Sequence, residues 1–455
     1  MPAAATTGAP EPDGGASARI LDAVARKRDG LPLSAADIHT TVSDYVNGRV
    51  ADYQMAAWLA TVACAGLDAD ETRALTTSYV AGGERLDLER IGGTVLDKHS
   101  TGGVGDKLSL VVVPLVAACG VTVVKMSGRG LGHAGGTVDK LESVPGLRLD
   151  LAPDAIYRTA RRAGMAIVSQ SASLAPGDEA TYALRDATGT VESVPLIAAS
   201  IIGKKVAVGA HGLVLDVKTG SGALIPDRGR ATELAEAMLG LATGFGLSCR
   251  AVLSDMSQPL GHAVGNALEL REVLAVLRGE WVPGVSEACA TLARLMLQSA
   301  DPALCGRAAD ARVARALAGG DAYDRLLTWV AAQGGDPRVL ERPALLPAAR
   351  KVTPVTADRS GWVTAVDPRA VGMAAVHVRA GRLSHHAPLD HGAGVRVVRR
   401  VGDRVEAGEP LAELHADGGA TERAARLLAG AFTVGGERPA PPPVIHRVFA
   451  PPQGQ

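Results

Sequence analysis

From about Ala18 to Val80, apolar residues recur at helical spacing. Ile20, Leu21, Val24 and Ala25 open the repeat, Ser34 stands as an N-cap before AADIHTTVSDYV, Asp52 precedes YQMAAWLATVACAG, and Asp68 precedes ADETRALTTSYVAGG. Four short amphipathic helices are predicted, and their apolar faces require a partner, either a second helical segment or another subunit. The periodicity then changes. TVLDKHS is short and β-branched, and a Gly-rich turn, the apolar helix LSLVVVPLVAACG and a second strand, VTVVKMS, follow it as a βαβ unit. Further strands are predicted at MAIVSQ, GLVLDVK and RAVLSDM, with helices such as TELAEAMLGLATGFG between them. The pattern describes a mainly parallel sheet covered by helices, in which ligands bind beyond the carboxyl ends of the strands.

One interval interrupts the sheet. From Pro176 to about Val208 the chain reads as two helices, ATYALRDATG and SVPLIAASIIGKKVAVG, expected to pack back onto the first helical region and to face the sheet across a cleft. After about Pro343 short β-type runs appear, punctuated by Gly, Asp and Pro. The predicted fold class is α/β: a discontinuous all-helical domain, a larger mainly parallel α/β domain and a small C-terminal α+β domain. The boundaries are a disordered tail at 1–17, a helical domain at 18–82 and 174–208, an α/β domain at 92–170 and 210–343, a C-terminal domain at 346–440 and a Pro-rich tail at 441–455.

Composition narrows the partners. Acidic and basic residues balance at 48 against 47 over 455 residues, so no global charge favours nucleic acid or an anionic membrane, and any anion binding must be local. The five widely spaced cysteines suit buried thiols in a reducing compartment. The N-terminal stretch has neither the basic nor the apolar region of a secretory signal, and no apolar run approaches the roughly 18 residues of a membrane span. A soluble, cytoplasmic protein is expected.

The chemistry concentrates between Asp97 and Glu142. In DKHSTGGVGDK, Gly102, Gly103 and Gly105 let main chain wrap an anion, Ser100 and Thr101 donate hydroxyls, and Lys98 supplies charge. A single Gly-rich run of this kind is more often a tight strand-to-helix turn, and it lacks the spacing of a Walker A loop or a dinucleotide fingerprint. A second run, KMSGRGLGHAGGT, places Ser127, Arg129, His133 and Thr137 after the next strand, and two such strand ends in one βαβ unit converge on one crevice. Asp139 and Glu142 suit helix capping or ion pairing better than a catalytic carboxylate pair. His99 has cationic and donor neighbours suited to a ligand. Ser200 and Lys204 lie four apart on one face of an otherwise apolar helix, where a lysine needs a partner.

DKHSTGGVGDK with SGRGLGHAGGTVDKLES, then ATYALRDATGTVESVPLIAASIIGKK, resembles the thymidine phosphorylase and pyrimidine-nucleoside phosphorylase family from about residue 18 to 440. The later VLSDMSQPLGHAVGNALE fits the same resemblance. It implies a helical domain and an α/β domain that close on each other, in a homodimer joined through the helical domains. It also implies reversible phosphorolysis of thymidine, deoxyuridine and uridine to free base and an α-pentose 1-phosphate, with inorganic phosphate as co-substrate and no organic cofactor. Lys98, Ser100, Ser109, Ser127 and Thr137 match the phosphate-binding positions; Arg185, Ser200 and Lys204 match those that hold the pyrimidine; His99 matches a histidine near its O2. Lys125 matches a position that is lysine in the broad-range enzymes and usually methionine in the strict thymidine enzymes, and an ammonium there would hold phosphate and tolerate a ribose 2′-hydroxyl. A structural K⁺ of the family maps onto Gly105, Lys107, Leu260, Ala263 and Glu272, where Lys107 departs from the smaller hydroxyl residue common there.

Other readings remain. A strict thymidine phosphorylase differs only in substrate range. An anthranilate phosphoribosyltransferase-like enzyme shares the helical plus α/β plan, but SGRGLGHAGGT argues against it. VGDRVEAGEPLAEL resembles half of a biotinyl or lipoyl carrier yet lacks the exposed lysine that would carry the cofactor. A non-catalytic nucleoside-binding homologue is opposed by the competent residue at every matched site position.

Overall fold

The computed structural model describes residues 13–130, 132–170, 173–382 and 387–449. In chain order the elements are α1 (Gly14–Arg28), α2 (Ala35–Val46), α3 (Asp52–Ala65), α4 (Ala69–Val80), β1 (Val95–Ser100), α5 (Leu108–Ala118), β2 (Thr122–Ser127), α6 (Thr137–Leu141), α7 (Pro153–Ala163), β3 (Met165–Ser169), α8 (Pro176–Ala187), α9 (Val194–Val208), β4 (Gly212–Thr219), α10 (Arg228–Gly244), β5 (Ser248–Asp255), α11 (Asn266–Leu277) and α12 (Val285–Ala300). They fall into two compact units. The first takes the chain up to Leu86, the stretch ending at Gly209, and Glu236–Leu247; the second takes Asp87–Gln170, Ala210–Ala235 and the chain from Ser248 onward.

The helical unit is set by its caps. Ser34 accepts from Asp37 N while Asp37 returns to Ser34 N, and Asp68 and Glu71 repeat the arrangement at α4. Each such cap contributes about 1 kcal/mol by satisfying orphan N–H groups. Asp52 is the first residue of α3, whose cap is Ala51, so its carboxylate favours the helix through the terminal dipole instead. Asp13 caps α1, which therefore starts at Gly14, inside the segment expected to be a disordered tail to residue 17. Burial of Ala16 and Ile20 holds this earlier start; the rest of that predicted tail, residues 1–12, lies outside the described residues. Leu196 and Ala199 of α9 join Ile20, Ile38, Trp58, Leu59 and Tyr79 in one apolar core, which is why the later helices return to the first four.

The second unit is built on a six-stranded sheet of order Ile445–Phe449, β5, β4, β1, β2, β3. β1 to β5 are mutually parallel, with Ser100 in register with Asp216 and Ser127 with Ser169, so the polar strand ends emerge at one edge. α5, buried along almost its whole length, and α12 pack on the sheet through Leu110, Val111, Leu115, Cys289 and Leu292. The strand Ile445–Phe449 is a correction to the predicted 441–455 tail. It pairs antiparallel with β5, Phe449 opposite Ala251, and His446 Nε2 lies 3.2 Å from Asp255. The prolines before it masked a short, half-exposed strand whose backbone pairs with that edge.

The C-terminal stretch forms two antiparallel sheets, Arg404–Val405, Gly361–Val366 and Phe432–Gly435 in one, and Ala263–Val264, Gly394–Val397, Pro410–His415 and Val352–Thr356 in the other. These sheets form the small C-terminal domain predicted at 346–440, which clusters with the α/β domain in the second unit. Its core includes Val104 and Val264, and the strand Ala263–Val264, from the stretch assigned to the α/β domain, completes one of its sheets. Among the described residues, no helix is long and apolar enough to cross a membrane.

Candidate active site

At the carboxyl end of β1, a buried Lys98 points its ammonium at Ser109 Oγ and Asp216 Oδ2, both at 3.4 Å. Ser109 is presented there because α5 starts immediately after the Gly-rich turn. Ser100 donates to the Asp106 carboxylate and its Oγ accepts from Gly102 N at 3.2 Å, which folds the turn around the hydroxyl. Lys125, on β2, donates to the Lys98 carbonyl at 2.7 Å. Ser127 ends β2 with a buried hydroxyl that makes no hydrogen bond among the described residues, and Thr137 opens α6 half-buried. His99 follows Lys98 on β1, in register with Leu215, and is half-buried. Lys98, Ser109, Lys125 and Asp216 are thus brought together by direct contacts, Ser100 stands in strand register with Asp216, and Ser127 and Thr137 flank the second Gly-rich run.

Three charged residues of this cluster, Asp106, Asp216 and Lys218, escaped the sequence reading. Lys218 on β4 lies 2.8 Å from Asp216, in a site where both side chains are fully buried. Burial alone lowers the Lys218 pKa, but Asp216 and Asp106 more than offset it and raise the ammonium above its ordinary value. Burial alone would raise Asp106; the Lys218 and Lys98 cations, the Ser100 hydroxyl and Lys140 instead hold it well below the usual carboxylate range. The signal was the DVK ending of GLVLDVK, polar residues closing an apolar strand beside β1.

The second Gly-rich run is a tight loop. A Cβ on Gly136 would sit 2.0 Å from Gly130 N, and one on Gly130 2.3 Å from Gly136 N, so only glycine at both positions allows the two backbones to touch. Asp139 ties the loop down, accepting from Gly130 N at 2.7 Å and pairing with Arg382 at 2.7 Å and Arg129 at 3.4 Å; Glu142 pairs with Arg129 at 2.7 Å. Asp139 and Glu142 are therefore ion-pairing residues.

The other constellation lies in the helical unit. Lys204 Nζ is 2.6 Å from Asp178 Oδ2 and donates to Ser200 Oγ at 2.8 Å. Arg185, 1% exposed, has Nη1 4.0 Å from Asp178 Oδ1, and its Nε and Nη1 make no hydrogen bond among the described residues. Tyr182 presents its ring to both cations, 5.8 Å from the guanidinium and 5.4 Å from the ammonium. Asp178, also missed, is seven residues before Arg185 on one helix face; its place after Pro176-Gly177 made it look like an ordinary first-turn acid. Two cations against one carboxylate, with buried donors left over, form a site for a planar ligand rich in acceptors.

Gly105, Lys107, Leu260, Ala263 and Glu272 also converge. Lys107 Nζ donates to Leu260 O at 3.0 Å, to Ala263 O at 2.7 Å and to the Glu272 carboxylate.

The class of protein follows from the fold and the matches to its parts. Residues 92–323 match the family described as Glycosyl transferase family, a/b domain, and residues 21–83 the corresponding helical bundle domain. Residues 362–435 match the Pyrimidine nucleoside phosphorylase C-terminal domain. The chain is 43% identical over 399 residues to the pyrimidine-nucleoside phosphorylase of Geobacillus stearothermophilus, covering 88% of this chain and 92% of that protein. It is 40% identical over 431 residues to the pyrimidine-nucleoside phosphorylase of Staphylococcus epidermidis, covering 95% and 99%. It belongs to the pyrimidine-nucleoside phosphorylase family. Its fold is also similar to that of anthranilate phosphoribosyltransferase from Thermus thermophilus, with a TM-score of 0.55 at 20% identity over 69% of this chain and 99% of that one.

Proposed function

We propose that this protein catalyses the reversible phosphorolysis of pyrimidine nucleosides, thymidine, deoxyuridine and uridine, to the free base and an α-pentose 1-phosphate. The observation that carries the reading is the buried Arg185 guanidinium, left with unused donors beside Lys204 and Ser200. A pyrimidine offers two carbonyls and N3 to such donors. Phosphate is held by Lys98, Ser100, Ser109, Ser127 and Thr137, and the unbonded Ser127 hydroxyl is a donor that an anion oxygen would satisfy.

A phosphate oxygen attacks C1′ as the C1′–N1 bond breaks, and the bonding pair leaves with the base. The sugar passes through an oxocarbenium-like centre with inversion, which fixes the α product. Arg185 and Lys204 stabilise the charge growing on the base near O4, Ser200 bonds N3 or the adjacent carbonyl, and His99 bonds O2. No covalent nucleophile is needed, because holding both reactants on one sugar removes most of the entropic barrier. The test is a base-release assay with and without phosphate on thymidine, deoxyuridine and uridine. Phosphate-dependent release with pentose 1-phosphate formation is expected; release at the same rate without phosphate overturns the reading.

Lys125 carries the expected breadth of substrate. Its ammonium is anchored on the backbone carbonyl of Lys98, one of the proposed phosphate residues. Lys125→Met is expected to shift the ratio of kcat/KM for thymidine over uridine upward by about tenfold, the worth of roughly one hydrogen bond to a charged group. An unchanged ratio removes the residue from substrate selection.

The proposed assembly is a homodimer through the helical unit, in a cytoplasmic setting that suits five free thiols. Leu21 on α1 and Tyr53 on α3 are 55% and 71% exposed, an apolar surface that a second copy would cover. Sedimentation equilibrium is expected to return twice the chain mass, and Tyr53→Lys to weaken the association.

A further inference from the structure

The cation position of the family does not fit a metal ion in this chain. Lys107 is fully buried, and its ammonium already meets three acceptors: Leu260 O at 3.0 Å, Ala263 O at 2.7 Å and the Glu272 carboxylate. Three acceptors satisfy all three N–H donors of an ammonium. Two main-chain carbonyls and a carboxylate are the hard oxygen ligands that a monovalent or alkaline-earth cation would choose, so one centre would have to serve both ions. Two unit positive charges sharing that space at about 4 Å repel by roughly 4 kcal/mol even at an effective dielectric constant near 20. The surroundings are built for a cation all the same. Glu272 also accepts from His262 N at 2.8 Å and Ala263 N at 3.2 Å. Burial alone would raise its pKa, and Lys107 with these N–H groups holds it lowered. Gly105, at φ 75°, passes so close that a Cβ would lie 2.7 Å from Leu260 O.

We infer that Lys107 is a built-in replacement for the bound monovalent cation, and that the fold of this protein is independent of K⁺. The ammonium joins three segments: the end of the β1–α5 turn, the loop after β5 that carries Leu260 and Ala263, and α11 through Glu272. Asp106, the partner of Ser100, is its immediate neighbour in the chain, so the same pin fixes the turn that presents the phosphate residues. An ion bound from solution would exchange and would tie stability to its concentration; a covalently attached one does neither.

The test is thermal unfolding of the full chain in KCl, NaCl and choline chloride at equal ionic strength, a readout that does not depend on which nucleoside is the substrate. Wild type is expected to melt within about 1 °C in all three salts, since a ligand that does not bind contributes no stabilisation. Lys107→Ser opens the oxygen cage. It is expected to melt about 5–10 °C lower in choline chloride, as for a buried ion pair with one partner removed, and to recover at least half of that loss in KCl. Lys107→Met fills the stem volume without adding an oxygen ligand and is expected to recover less. A wild type that gains several degrees from K⁺ over choline overturns the inference, as does a serine variant with the same melting point in every salt. If the serine variant folds in KCl alone, that supports it; if it folds in none, the wild-type salt series decides.

Discussion

Lys204→Ala is expected to reduce kcat for phosphorolysis by about 10²–10³-fold, the usual effect of removing a preorganised donor from a site where negative charge develops. The side chain is placed for that task. Its ammonium is 9% exposed at the residue level, held at 2.6 Å by Asp178 and directed through Ser200. An ammonium so fixed contributes more to the departing base, which becomes anionic, than to the neutral nucleoside; the loss should therefore appear in kcat more than in KM for either substrate. KM for phosphate should hardly change, because every proposed phosphate contact comes from the other unit. Removing the stem also leaves Asp178 with only Arg185, 4.0 Å away, as a cationic neighbour. Lys204→Met is the control, since it keeps the packing volume and removes only the charge. Steady-state rates on both variants, alongside circular dichroism melts, separate the two effects. A methionine variant within threefold of wild type in kcat would place the stabilising charge elsewhere.

How much of this site was legible beforehand depends on the range over which its physics acts. Capping residues and strand ends are local, so Ser34, Asp68, the two Gly-rich runs and the helical spacing of Ser200 and Lys204 could be read from the chain itself. Asp178 could not. Its partner Lys204 is on another helix, and only the fold places the carboxylate between two cations. Lys218 was hidden for a related reason, since a lysine at the end of an apolar strand looks like a solvated strand terminus until β4 pairs with β1 on one side and β5 on the other and Lys218 is buried with Asp216. The C-terminal strands were legible as a small domain of their own, but their attachment to the α/β domain was not. That union rests on Ala263–Val264 crossing into their sheet, and on Arg382 reaching Asp139 while its carbonyl accepts from Gly132 N at 3.0 Å. The same contacts explain why this Gly-rich loop needs a distant segment of the chain, since few of its own side chains can fix so many glycines. The strand at Ile445–Phe449 shows the converse: its pairing is specified by the waiting edge of β5, and its own sequence carries little strand signal.

Asp106→Asn is expected to lower the stability of the second unit by on the order of 2–4 kcal/mol at neutral pH, because it leaves several buried cations undercompensated. The carboxylate faces Lys218, Lys98 and Lys140, accepts from Ser100, and receives Leu108 N at 3.2 Å at the start of α5. The sign of the pH dependence follows from its depressed pKa. A carboxyl whose folded pKa lies below its unfolded value contributes stability that is present above the unfolded pKa, about 3.9, and is lost as pH falls toward the folded one. The difference between wild type and Asp106→Asn should therefore be flat from about pH 8 to pH 5, then narrow by up to about 1.4 kcal/mol per pH unit below the unfolded value. Urea unfolding at a series of pH values measures it. A difference that stayed constant through the acid range would mean that the loss comes from packing or hydrogen-bond geometry alone and that the charge of Asp106 is not what holds the lysines. Activity offers a second reading of the same residue. Ser100 would lose the carboxylate that orients its hydroxyl, so KM for phosphate should rise at every pH, including the acid range where the stability difference narrows.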